Sequence, residues 1–195
     1  MTLKGQKIDG FKLGAWDPLI SGLEGEHACN STRCIMKGLR ATESVIRLNT
    51  RLFRNCLDGV SDENAIVRPN GATNNLSFIA CHLVDARHFM AGFLGLDASN
   101  PLADLLATAR SVDDVPELPS MKRIRHAWDQ VSRDLEACMN DLDFDDITAP
   151  SHHRFPVDDS SIGGAIAFLV QHESYHIGQL ALLRKFLGYP AMTYR

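Results

Sequence analysis

Apolar residues near the C-terminus recur at one helical period, and that period decides what this chain can become. From about Ser160 to Leu187, the residues Ile162, Ile166, Leu169, Ile177, Leu180, Leu183 and Leu187 fall on one arc at about 100° per residue, the mark of an amphipathic helix. Within it His172 and His176 stand four residues apart, so their imidazoles project from one face, one turn above the other, and can grip a single metal ion. On the helical wheel His176 sits inside the apolar arc near one edge, and His172 lies just beyond that edge. Both therefore point toward a bundle interior or its mouth. Glu173 falls near the centre of the arc, where a carboxylate can orient an imidazole, move a proton or bind a structural amide. It is a candidate catalytic group, although a structural role fits such a position better.

Three further stretches carry the same period. Ile35, Leu39, Ile46, Phe53 and Leu57 predict a first helix over about 35–57, with Gly59 behind it as a stop. The loop SDENAIVRPNGATNN leads to Asn74 as a candidate N-cap and to a second helix over about 75–94. There Ile79, Ala86, Phe89, Met90 and Phe93 share a face with His82, while His88 lies on the opposite side of the wheel and is expected in solvent. A histidine within an apolar arc needs a partner, because burying an unpaired imidazole is costly. Alone, His82 reads as a hydrogen-bonded core residue; beside a helix with two inward histidines it becomes a third ligand candidate.

A long connection follows, with a short apolar helix expected at 101–109. Ser120 then caps a third long helix, about 121–142, whose stripe of Ile124, Trp128, Val131, Leu135, Cys138 and Leu142 reads as core. The polar stretch from Asp143 to Ser161 holds the adjacent pair His152 and His153, read as a solvated loop pair outside the metal set. Asp159 or Ser160 is expected to cap the fourth helix, which Gly188 and Pro190 end. Four long amphipathic helices joined by crossover-length connections predict an all-α four-helix bundle over about 35–190. Residues 1–34 show no sustained period and read either as an N-terminal extension that packs on the bundle or on a partner subunit, or as a partly ordered extension.

Composition narrows the function. The chain has 195 residues, 45% of them hydrophobic, which suits a single domain with one sizeable core. The net charge is −4 with both signs interspersed, so no basic stripe points to nucleic acid. Five cysteines, an odd number, with three inside helical patterns, favour reduced thiols in the cytoplasm. No stretch approaches 18 apolar residues and no signal-peptide run opens the chain, which predicts a soluble protein away from membranes.

His172-Glu173-Ser174-Tyr175-His176 also spells the His-Glu-x-x-His pattern of metalloproteases. The context argues against that reading. Leu182 stands where an extended pattern would place a third histidine, and no Asp or Glu follows Glu173 to serve as an acidic ligand. Three imidazoles leave an ion an open coordination position, the arrangement of a catalytic site, and nitrogen donors suit Zn, Ni, Fe or Cu.

The ending Gln171-His172-Glu173-Ser174-Tyr175-His176-Ile177-Gly178-Gln179-Leu180 resembles the His-x-x-x-His-x-Gly-Gln signature of the DinB/YfiT-like superfamily. Arg68-Pro69 followed by Asn74 to Leu83 is similar to that family's second-helix segment. The resemblance covers roughly residues 35–188. It implies a four-helix bundle in which His82, His172 and His176 hold a divalent metal, usually Zn or Ni, and it implies a homodimer. Members of the family include S-transferases and isomerases that use a low-molecular-weight thiol, alongside proposed hydrolases. Three functions follow as expectations: transfer of a small thiol to an electrophile, hydrolysis with ion-activated water, or a non-catalytic module that the metal stabilises.

Overall fold

The computed structural model describes residues 31–194. The expected N-terminal extension therefore lies almost wholly outside the described residues, because the first helix already begins at Ser31. Four long helices carry the fold: α1 (Ser31–Leu57), α3 (Leu76–Phe93), α5 (Met121–Asp141) and α7 (Ile162–Phe186). Short helices sit in the connections: α2 (Asp62–Ala65), α4 (Ala103–Leu106) and α6 (Phe144–Thr148), with a 3-10 turn at Val112–Asp114. Among the described residues there is no strand, only one bridge between Pro150 and Ser161. No described helix is long and apolar enough to cross a membrane.

α1 packs on α7 and α5, and α3 packs on the same two helices, so the long helices close a ring. Caps fix where they start. Asn75, one residue later than expected, accepts a hydrogen bond from the Phe78 amide at 2.8 Å, while Asn74 instead receives the Val112 amide at 2.9 Å. Ser120 caps α5 as predicted, and Ser161 rather than Asp159 or Ser160 caps α7 through the Gly164 amide. In both shifted cases the neighbouring polar residue is already used by the loop, since Asp159 accepts from the Ser161 amide. Gly188 ends α7 with φ at +84°, a left-handed conformation that glycine adopts without strain.

The core consists of two apolar layers with a polar layer between them. One layer gathers Phe53, Leu57, Ile79, Val84, Ile124, Trp128, Ile177 and Leu180. The other gathers Leu39, Ile46, Met90, Leu135, Ile166 and Leu169. The memberships also fix direction: α3 leaves the first layer for the second along its length, and α7 does the reverse, so the two run antiparallel.

Between the layers lie Asn49 and Thr50 of α1, Arg87 of α3, Ser132 of α5 and Glu173 of α7, all buried. The Arg87 guanidinium donates to both Glu173 carboxylate oxygens, at 2.7 and 2.5 Å, and to the Thr50 and Ser132 hydroxyls at 2.6 and 2.9 Å. Asn49 adds a bond from its amide to Glu173 at 3.4 Å. The guanidinium carbon stands 3.8 Å from the centroid of Trp128, which stacks in turn on Phe53 at 4.0 Å. Such a fully paired charge joins all four long helices in one register. Trp128, expected to be plain core, thus also carries a cation on its face.

Candidate metal site

His82 reaches the α3–α7 seam from α3, and His172 and His176 meet it from successive turns of α7. His82 Nε2 lies 3.2 Å from His172 Nε2, which lies 3.1 Å from His176 Nε2. Among the described residues these are the histidine, cysteine, aspartate and glutamate side chains whose donor atoms gather as a set, all within 4.8 Å of one another. Their rings meet edge to face, with centroids 4.5 to 5.1 Å apart. All three side chains are half-buried, so the set lies at the rim of the core rather than inside it.

The electrostatics keep the three rings neutral. Burial pushes the His82 imidazole down to about 3, with help from the two neighbouring histidines, and burial with His176 pushes His172 down to about 4. His176 is also lowered by burial, against the opposing hydrogen bond of Gln179. Gln179 decides the tautomer, because its carbonyl oxygen accepts from His176 Nδ1 at 2.7 Å while its amide donates to the Tyr175 hydroxyl at 3.1 Å. With the proton held on Nδ1, His176 turns the Nε2 lone pair toward the other two rings.

The donors suit a cation. Nitrogens that share one ion at about 2.0–2.1 Å lie roughly 3.0–3.4 Å from each other, which brackets the two short separations found here. No arrangement of the protons on three converging Nε2 atoms gives each nitrogen its own hydrogen bond. His172 Nδ1 is in addition buried with no hydrogen-bond partner among the described residues. A cluster that leaves its own nitrogens unsatisfied is stabilised by a positive ion placed among them.

The structure locates the other candidates elsewhere. Glu173, the candidate catalytic carboxylate, has no exposed surface and gives both oxygens to Arg87. The structural-amide role expected for it is present in the bond from Asn49, but its main partner is an arginine that the sequence reading passed over. His88 is buried, not solvated: it donates from Nδ1 to the Val84 carbonyl at 2.9 Å. The wheel failed there because α3 has packing partners on several sides, α2 and α4 as well as α5 and α7. Cys81 adjoins His82 in sequence but lies in the core, where burial pushes its thiol up to about 12, and burial does the same for Cys56. His152 and His153 are exposed on the loop before α7, yet His153 is not free in solvent, since it packs 5.6 Å from Phe89.

Two kinds of residue were missed. Gln179 stands in the sequence signature with no spacing that marks its role, and Arg87 leaves no periodic mark as a charged residue in a helix. A signal existed for Arg87: it falls on the same α3 face as Ala80, Val84 and Ala91, all buried, so its charge had to meet an opposite one.

Fold and site together define a class: all-helical proteins with a three-histidine group, able to take a metal ion, at the seam of two long helices. Residues 46–180, more than half of the chain, match the family model described as the DinB superfamily. The chain belongs to that superfamily. A comparison with curated proteins found no match.

Proposed function

We propose that the protein is a metal-dependent enzyme in which His82, His172 and His176 hold one divalent ion, Zn or Ni, and a low-molecular-weight thiol is transferred to an electrophile. The observation that carries this reading is the convergence of three neutral Nε2 atoms with no fourth histidine, cysteine or carboxylate in the set among the described residues. An ion held by three protein ligands keeps room for an outside ligand and supplies Lewis acidity at neutral pH.

The chain's own residues have limited roles in such a reaction. His82, His172 and His176 bind, and Gln179 keeps the His176 proton on Nδ1. Glu173 is committed to Arg87, and Cys56 and Cys81 are buried as neutral thiols. With both thiols buried and the carboxylate paired, the attacking group on this reading comes from a bound small molecule. That favours a cosubstrate thiol, in keeping with the family. A homodimer belongs to the same proposal, supported by an exposed apolar stripe of Tyr175, Leu182 and Phe186 on the outer face of α7.

The test is turnover of an electrophile by metal-loaded protein with and without added bacillithiol, mycothiol or glutathione. Thiol-dependent product formation that His172→Ala abolishes supports S-transfer. Thiol-independent hydrolysis overturns it in favour of a hydrolase, and metal binding without turnover under any condition makes the protein a metal-stabilised module.

A further inference from the structure

The two helices that supply the triad also carry aromatic rings that the proposed reaction has not used. On α3, Phe89 and Phe93 continue the row begun by His82, with Ala86 between. On α7, Phe168 lies one turn before His172 on the row that includes His176. Because α3 and α7 run antiparallel, both rows border one seam, and it extends about 16 Å along α3 from His82 to Phe93. Phe168 lies nearly parallel to the His172 ring, with centroids 6.4 Å apart and planes at 28°. Phe155, from the loop before α7, continues the row at 5.3 Å from Phe168 and 6.0 Å from Phe93. His153 borders the far end, 5.6 Å from Phe89 and 6.0 Å from Phe93.

These rings are not a sealed part of the core. Phe89 is 37% exposed, and Phe93, Phe155 and Phe168 are half-buried, while the adjacent Met90 and Leu169 on the same helices are buried. The strip therefore offers ring faces and edges at the surface, continuous with the imidazoles. The phenyl rings carry no charge and the ring that borders them is the His153 imidazole, so the strip itself favours a flat apolar body, while the charged side chains of the same loop, Arg154, Asp158 and Asp159, line the cavity beside Phe155. Offset and edge-to-face contacts with such a body are what partly exposed rings provide.

We infer that this strip binds the aromatic or flat apolar portion of the electrophile, with the reacting centre at the triad and the body lying toward Phe89 and Phe155. The inference rests on the triad being a metal site. It deepens that reading by naming the substrate class.

A binding experiment separates the two. Protein loaded with Co(II) is titrated with imidazole and with 4-phenylimidazole while the visible spectrum is followed. Both probes can ligate the ion, and only the second has a ring for the strip. The expected result is at least a tenfold tighter Kd for 4-phenylimidazole. In Phe89→Ala, at an exposed position, and in Phe155→Ala that preference falls below threefold, with imidazole affinity, metal content and helical signal unchanged. Equal affinities for the two probes in the wild type, or a preference undiminished in both variants, overturn the strip and leave the triad standing. Failure to take up Co(II), or no spectral response to imidazole, overturns the triad reading and this inference with it.

Discussion

His172 and Glu173 are consecutive residues of α7, yet they belong to polar clusters with opposite properties. Glu173 turns inward to a layer where its carboxylate meets a guanidinium and an amide, where two hydroxyls accept from the same guanidinium, and where an aromatic ring covers the cation. His172 turns to the seam, where its Nε2 faces two other ring nitrogens and its Nδ1 has no hydrogen-bond partner among the described residues. The first cluster is complete with protein atoms alone; the second is complete only with something added. Buried polar groups that satisfy one another fix register, and buried polar groups left short mark the place where a ligand belongs. The adjacency is itself useful, because the Arg87–Glu173 pair aligns α7 against α3 a single residue from the first α7 ligand.

Substitutions can break this contrast. The largest effect is expected for Arg87→Met, which leaves the Glu173 carboxylate buried without its cation and lowers unfolding free energy by about 3–5 kcal/mol. The double variant Arg87→Met with Glu173→Met should recover most of that loss, since an apolar pair can replace a buried ion pair at little cost. Urea unfolding of both variants checks the claim, and a loss below about 1 kcal/mol in the single variant would mean that the layer is not the register device described.

An intermediate effect is expected at Gln179. Replacing it by Leu frees the His176 proton to move to Nε2, and the loss of such an orienting partner lowers metal affinity by about 10–100-fold. Competition with a chelator of known affinity measures it. Thermal stability of the metal-free protein should hardly change, which distinguishes an orienting role from a structural one.

The smallest effect has the opposite sign. In metal-free protein, His172→Leu removes nitrogens that the fold leaves unsatisfied, so stability should stay level or rise by up to about 1 kcal/mol. A clear loss in that variant would show the triad to be a structural cluster like the one beside it.

The contrast also explains what could be read in the sequence. The helices of α5 and α7 were legible because their apolar residues keep one period, and the His172/His176 pair because four residues make one turn. His82 was legible as an inward histidine on the second helix. Arg87 was not, since an arginine in a helix reads as surface unless its apolar face is followed through Ala80, Val84 and Ala91. His88 was misplaced because a wheel assumes one wet side, and α3 is packed on several. His153 was legible as an exposed loop residue but its ring contacts were not, for loop residues have no period that tells which rings they will meet.

The most direct measurement is the elemental content of the purified, untagged protein, determined beside its His82→Ala variant. About one Zn or Ni per chain is expected in the parent, lost in a variant that keeps its helical content. A metal-free parent, or a variant with undiminished metal, would contradict that expectation and return His82 to the status of a core histidine.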